Sequence, residues 1–473
     1  MGPKRQGALL AATISIAVAF ALPSPRRATC RARPALASGG GAKALHSAPL
    51  SEDAAELDLA VPRGGGAAKS AGVPISVLAL LGAAFLNLLG FTMTGPITPA
   101  LAQHFGLPVG AKVGMLTSAY PLGMLFGLAF WPTLSDKPGM RKRILVGSLG
   151  GVGVGLAFQA FALRTNAPLW VFLALRALSG ASSGASPVAK AYLADVATPD
   201  ELPRWLAWRE ASSTLAFIVG PLLGGLLFYS STSLSAVVGV TAAGSLLASL
   251  LVATCVDAKP KSSTKKVEDY KLYDGAAPSS CPLGASLNGA IATICAMSAL
   301  ENAGSACWDA FGAVVAQQRF GLDARGVGLM LTSLACVSFG VSTTCFDLIR
   351  RKTGLVNTAV LGLAFVAAGL AAVGAASGSL ASFGAAAALY QLGKPLYAPT
   401  VPTLLLTCVP PSRRGVVMGL DAGVNTVART ISPLVLGALL RARGARTAFA
   451  AASGCVGLAA ALAVIRARDV SDQ

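Results

Sequence analysis

Charge is scarce in this chain. Only 12% of its 473 residues are Asp, Glu, Lys or Arg, against 54% hydrophobic residues and a mean hydropathy of +0.65. A soluble domain carries about 25% charged residues, so the composition excludes one and requires a polytopic membrane protein. Histidine is limited to His46 and His104. No GxxxxGK[ST] loop is present to cradle a nucleoside triphosphate, which argues against ATP-driven pumping, and there is no HExxH or GxSxG. The sequence therefore calls for no enzyme, metal or cofactor. The nine cysteines show no CxxC or CxxH spacing and most lie in apolar runs. They read as small apolar fillers, neither disulfide partners nor metal ligands.

What is abundant is long apolar sequence. From Pro74 onward there are about twelve runs of spanning length, over 74–100, 112–134, 144–164, 168–192, 211–230, 233–256, 286–315, 325–347, 355–376, 380–408, 415–440 and 447–465. The longest polar interruption, Asp257 to about Pro282, falls between the sixth and seventh. The halves repeat: His104-Phe-Gly-Leu returns as Arg319-Phe-Gly-Leu, Met115-Leu-Thr-Ser as Met330-Leu-Thr-Ser, and Asn87 as Asn302, all 215 positions on. Gly220-Pro221-Leu222 meets Ser432-Pro433-Leu434 at an offset of 212. The expectation is an all-α membrane protein of twelve transmembrane helices in two six-helix pseudo-repeats. Its parts are a targeting presequence (1–70), a first bundle (71–256), a linker (257–285), a second bundle (286–466) and a tail (467–473), in a monomer.

The formal charge of +18 sits mainly in the N-terminal segment and in short loops. Positive-inside topology accounts for the loops without a nucleic-acid partner. One side gathers Lys137, Arg141, Lys142, Arg143, Arg204, Arg209, the five linker lysines, Arg350 to Lys352, Arg413 and Arg414, and outnumbers the other roughly two to one. Both ends of the helical region are thus expected on the cytoplasmic or stromal side. In the presequence, Lys4 and Arg5 precede a short apolar run ending at Ala17-Val18-Ala19. An Arg-rich stretch with no acid before Glu52 follows. That order resembles the bipartite plastid presequence of algae with complex plastids; an ordinary secretory signal with a polar tail is the alternative.

The densest charge between two apolar runs is Asp136-Lys-Pro-Gly-Met-Arg-Lys-Arg143. It resembles the loop between helices 2 and 3 of the major facilitator superfamily, Gly-x-x-x-Asp-Arg/Lys-x-Gly-x-Arg/Lys-Arg/Lys. Asp136, Lys137, Gly139, Arg141 and Lys142 match, and Pro132 replaces the first glycine. The resemblance implies a gate motif helping to hold the cytoplasmic side shut. The loop after run eight, with Asp347, Arg350, Arg351 and Lys352, echoes the motif in charge only.

Charges inside apolar spans are costly and face a bundle interior or a water-filled cavity. Runs three, six, nine and twelve carry essentially none in their cores. Run four has Arg176 and Lys190, run seven Glu301 and Asp309, run ten Lys394, and run eleven Asp421 and Arg429. The resemblance implies that helices 1, 4, 7 and 10 line a central cavity, and the charge pattern agrees. At 1.5 Å per residue Glu301, Lys394 and Arg429 lie about 20 Å into their spans, level with Asn87 and Asn302. These are the candidate substrate and coupling residues, with Asp421, and with Asp309 nearer the outer end. The structural alternative is that Glu301 simply neutralises Lys394 or Arg429.

Arg176-Ala-Leu-Ser-Gly180-x-x-x-Gly184 resembles the family's helix-4 motif, whose arginine is implicated in proton transfer in proton-coupled members. Gly220-Pro221-Leu-Leu-Gly224-Gly225 resembles the helix-5 motif of the antiporter branch, a kinked, closely packed helix. With Ala191-Tyr-Leu-Ala-Asp-Val196 the segment is most similar to the drug:proton antiporter and tetracycline-efflux branch. The expectation is a small organic solute moved in exchange for protons by alternating access. Exchange or facilitated passage of an anionic metabolite is the first alternative, and a non-transporting membrane receptor or scaffold the second.

Overall fold

The computed structural model describes residues 73–135, 137, 139–197, 201–257, 283, 287–376, 378–408 and 414–471. The 1–70 presequence, nearly all of the 257–285 linker, and Asp136 lie outside the described residues. Among the described residues the chain is helical with no strand, because in hydrocarbon a chain must satisfy its own backbone groups. The helices are α1 (Ile75–Met93), α2 (Thr98–His104), α3 (Ala111–Ser135), α4 (Met140–Arg164), α5 (Leu169–Ala181), α6 (Ala185–Val196), α7 (Leu202–Ser231) and α8 (Leu234–Cys255) in the first half. The second half has α9 (Leu287–Phe320), α10 (Ala324–Thr344), α11 (Phe346–Thr353), α12 (Leu355–Ala375), α13 (Leu380–Tyr397), α14 (Thr400–Cys408) and α15 (Arg414–Ser471). Eight of the described helices are long and apolar enough to cross a membrane, and the last of these spans, Val417–Arg468, has 52 residues. A non-helical Gly444 with φ 84° divides it between the eleventh and twelfth expected runs. Large apolar side chains point outward, with Phe126, Trp170 and Leu458 between 62% and 71% exposed, as a lipid-facing surface requires.

Runs four and ten, expected as unbroken helices, are each interrupted. In run four the break falls at Ser182 to Gly184, where Ser148 of α4 accepts from the Gly184 amide at 2.8 Å and donates to the Ser182 carbonyl at 2.6 Å. One serine therefore satisfies both freed backbone groups. In run ten the break falls at Ala398-Pro399, where proline offers no amide, and Thr400 Oγ1 donates to the Tyr397 carbonyl at 2.6 Å. Gly184 and Pro399 are 215 positions apart, so the interruptions occupy the same place in the two halves. Cys408 also departs from expectation, being disulfide-bonded to a partner outside the described residues. Cys255, Cys295, Cys307, Cys336, Cys345 and Cys455 are free.

The repeat extends to the backbone. Left-handed residues recur in pairs: Gly106 (φ 58°) with Gly321 (φ 64°), Gly139 (φ 74°) with Gly354 (φ 80°), and Thr232 (φ 52°) with Gly444 (φ 84°). The first two pairs are 215 positions apart and the third 212. Gly354 corrects the sequence reading of the loop after run eight. Lys352-Thr-Gly354 reproduces Lys137-Pro-Gly139 in spacing and in a positive φ that glycine adopts without strain, while ψ differs, 169° at Gly354 and 2° at Gly139.

Two seams join the halves. In one, α3 runs against α15: a Cβ on Gly114 would strike the Pro433 carbonyl, and one on Gly437 the backbone of Gly110. In the other, α7 runs against α10: a Cβ on Gly328 would strike the Pro221 carbonyl, and one on Gly225 the Ala324 carbonyl. Thr332 Oγ1 also donates across this seam to the Ile218 carbonyl at 2.9 Å. Each seam sets a glycine of one half on a proline carbonyl of the other, and the two prolines stand 212 positions apart, the offset of the internal repeat there. Both seams lie toward the end of the bundle remote from Gly139 and Gly354. At the opposite, basic end α4 begins with Arg141, Lys142 and Arg143 and α11 ends with Arg350, Arg351 and Lys352.

Gly114→Ala and Gly328→Ala should each lower stability by about 1–3 kcal/mol by overpacking, and their effects should add, because the seams are separate. Thermal unfolding of the purified protein measures both; unchanged unfolding of either variant would show that its seam is not tight.

Candidate functional site

Glu301 lies in the middle of α9 and is 3% exposed. Its Oε1 accepts from Lys394 Nζ of α13 at 2.8 Å and from Ser305 Oγ at 2.6 Å, while Lys394 Nζ donates to Ser305 Oγ at 3.2 Å. The ring of Tyr390 lies 5.9 Å from Nζ. Ser305 follows Glu301 by four residues and Tyr390 precedes Lys394 by four, so each helix presents two members of the cluster on one face. Removing a carboxylate and an ammonium from water costs several kcal/mol each, and direct pairing with a shared hydroxyl offsets that cost. Lys394 keeps 31% of its side chain exposed, so the pair lines a wall of the bundle interior that solvent can reach.

Toward the basic end of the same wall lies Asp421 of α15. Its Oδ2 accepts from Asn425 Nδ2 at 3.0 Å. Asp421 Oδ1 and Asn425 Oδ1 are buried without a hydrogen-bond partner. Ser298 lies against both Asp421 and the Tyr397 hydroxyl. Among the described residues no cation pairs with Asp421.

Arg176 of α5 and Arg429 of α15 come from opposite halves, and both lie within electrostatic reach of the Tyr120 hydroxyl on α3, which Ser183 also meets. Neither guanidinium has a carboxylate partner among the described residues. The Arg176 Nε is buried with no acceptor. Small residues bring α3 this close to α5: a Cβ on Gly123 would strike the Ala177 carbonyl, and one on Gly180 the Tyr120 carbonyl. This is the close approach expected of Arg176-x-x-x-Gly180.

Of the other candidates, Asp309 is exposed two turns beyond Glu301, within electrostatic reach of Lys394 and Tyr390, and Asn87 is half-buried on α1. Asn302 Nδ2 donates to the Ser298 carbonyl of its own helix at 2.9 Å. In the charged loop, Gly139 turns the chain, Lys137 is exposed and Lys142 half-buried, and Arg141 pairs with Asp195 of α6. That pair fastens two helices of the first half to each other. In the helix-5 motif, Gly220 and Gly224 pack against Thr92 and Met93 of α1, while Pro221 and Gly225 form the seam with α10. Thr92 Oγ1 donates to the Ala216 carbonyl at 2.9 Å; with Thr332 on Ile218, threonines of two neighbours brace the helix before the proline.

Sequence reading missed Ser305, Tyr390, Asn425, Ser298, Tyr397 and Tyr120. Four-residue spacing from Glu301, Lys394 and Asp421 would have found the first three. Tyr120, Ser298 and Tyr397 needed the packing.

Lys394→Met should destabilise the protein by about 1–3 kcal/mol by leaving Glu301 buried without its cation, and adding Glu301→Gln should restore most of the loss. Thermal unfolding of the two single variants and the double variant closes the cycle; additive effects would show that the pair is not coupled.

Comparison with known proteins agrees with this architecture. The family model described as Major Facilitator Superfamily matches residues 80–367. The tetracycline resistance protein, class C, of Escherichia coli is 27% identical over 154 residues, covering 32% of this chain and 38% of that protein. The multidrug resistance protein MdtG of Proteus mirabilis is 30% identical over 148 residues, covering 30% and 35%. The matched stretch thus spans little more than a third of those relatives. Among solved structures, the human organic anion transporter MFSD10 (TETRAN) superposes with a TM-score of 0.60 at 19% identity, over 82% of this chain and 99% of that one. A bacterial homolog of the human lysosomal transporter Spinster, in an inward-facing and occupied conformation, gives 0.66 at 16% identity, over 84% and 98%. With the repeat, the paired seams, the charged loop and the match over 80–367 in agreement, the chain belongs to the major facilitator superfamily.

Proposed function

We propose that the protein is a secondary transporter that exports a small organic solute in exchange for protons, alternately exposing the gap between its halves to the two sides of the membrane. The observation that carries this reading is the Glu301–Lys394–Ser305 cluster, ionisable groups kept at mid-depth on a wall of the bundle interior that solvent can reach. Charge at that depth is costly and is retained where ions or substrates pass, which counts against a receptor or scaffold. The kink and close packing at Pro221 and the similarity to tetracycline and multidrug resistance proteins support antiport. The basic end is then cytoplasmic or stromal, and the Arg-rich presequence supports a plastid envelope. A second reading, passage of an anionic metabolite, is favoured by Arg176 and Arg429, which have no carboxylate partner among the described residues.

In the exchange cycle a proton on Glu301 abolishes its charge and releases Lys394, changing the field on the gap wall. Ser305 and Asp309 of the same helix, Tyr390, Lys394 and Tyr397 of α13, and Asp421 of α15 are the groups that surround Glu301. Arg176 supports proton exchange from the opposite wall.

Reconstituted full-length protein in liposomes with an imposed pH gradient tests the reading, with solute flux and internal pH followed together. Protons are expected to move opposite to solute, and Glu301→Gln to flatten the pH dependence. Solute flux indifferent to the gradient, or a Glu301→Gln variant with unaltered pH dependence, would overturn it.

A further inference from the structure

Among the described residues the candidate site holds buried polar atoms without a hydrogen-bond partner: the hydroxyls of Tyr390 and Tyr397, which can donate or accept, and two further sets of opposite kind. At the Arg176 and Arg429 level these are donors: neither guanidinium has a carboxylate partner among the described residues, and Arg176 Nε is buried with no acceptor. At the Asp421 level they are acceptors, Asp421 Oδ1 and Asn425 Oδ1, buried and unpartnered. Unsatisfied buried donors and acceptors are rare and costly. Lys394 is already paired: Glu301 and Ser305 take two of the three donors of its ammonium.

We propose that the transported solute is amphoteric, with its carboxylate held by Arg176 and Arg429 and its protonated amine held by Asp421 and Asn425. The deduction rests on the export reading above and names the substrate class for the same gap. A guanidinium matches a carboxylate through parallel N–H donors, and an ammonium has three donors to share between Asp421 Oδ1 and Asn425 Oδ1. Arg429 follows Asp421 by eight residues on α15, about 12 Å along the axis at 1.5 Å per residue. An α-amino acid, whose two charges flank one carbon, is too short to engage both levels. The solute must be extended, with its charges well separated.

The arrangement also explains exchange. The groups facing Asp421 are Asn425 on its own helix, Ser298 and Cys295 of α9, and Tyr397 of α13. None of these described neighbours is a cation, so a proton and the solute's amine are two positive charges that this carboxylate can take up. The two compete for one carboxylate, and each drives the other off.

Binding to the purified full-length protein, measured by calorimetry, tests this with five probes: 8-aminooctanoate, 4-(aminomethyl)benzoate, octanoate, octylamine and alanine. At least one of the two amphoteric probes should bind about tenfold or more tightly than octanoate and octylamine, and alanine should not bind. Asp421→Asn should reduce the better amphoteric probe to the affinity of octanoate, while Arg429→Gln should reduce it to that of octylamine. The binding that each variant retains shows that it is folded. For the wild-type protein the affinity of the amphoteric probe should fall as pH is lowered, and for Asp421→Asn that pH dependence should vanish. Octylamine or octanoate binding as well as both amphoteric probes, or variants that leave the preference intact, would overturn the proposal. The outcomes separate it from the export reading. Amphoteric binding without gradient-driven flux would sink proton exchange alone, whereas proton-coupled flux of a simple amine, untouched by Arg176→Gln or Arg429→Gln, would sink this inference alone.

Discussion

Two glycine-on-proline contacts hold the halves of this protein together, and the rest of the architecture depends on them. Within lipid the hydrophobic effect does not draw helices toward one another, so association relies on backbones that approach closely enough for dispersion and polar contacts to count. Gly114 against Pro433 and Gly328 against Pro221 provide that approach twice, with the two prolines at the 212-residue offset of the internal repeat. Proline contributes a second property, because each of these positions lacks an amide and leaves its helix able to bend. A seam that is tight and also deformable suits two rigid halves that rock about it.

Polar groups in the bundle follow the economics of a low-dielectric interior. Glu301 and Lys394 neutralise each other, and Ser305 donates a second hydrogen bond to the same carboxylate oxygen. Where the chain interrupts its own helices, at Ser182 to Gly184 and at Ala398-Pro399, a serine or threonine closes the exposed backbone groups. Among the described residues other buried polar atoms have no hydrogen-bond partner, and at the candidate site these are Arg176 Nε, Asp421 Oδ1, Asn425 Oδ1 and the hydroxyls of Tyr390 and Tyr397.

Much of the fold was legible in the residues. Apolar runs marked the crossings, and the recurrence of Phe-Gly-Leu and Met-Leu-Thr-Ser 215 positions apart marked the duplication. Basic loops set the two ends of the bundle apart. The breaks in runs four and ten were not legible, because nothing local separates Ser182-Ser183-Gly184 from a helix; the interruption exists because Ser148 of another helix stabilises it. Pro399 carried a signal that hydropathy alone obscured. The disulfide at Cys408 likewise depends on a spatial neighbour and not on a spacing motif.

For the candidate site, the sequence determined which ionisable residues sit at mid-depth, since depth follows from helical rise and from the ends of each apolar run. Glu301, Lys394 and Arg429 were identifiable on that basis, and Arg176 by its resemblance to the helix-4 motif. Only the tertiary structure decided how they divide, with Lys394 paired to Glu301 and with Arg176 and Arg429 brought from opposite halves toward Tyr120 without a carboxylate between them. The physical reason is that depth is a one-dimensional quantity fixed within each helix. Pairing depends on the rotation and approach of separate helices, which small residues such as Gly123 and Gly180 set only once the bundle has packed.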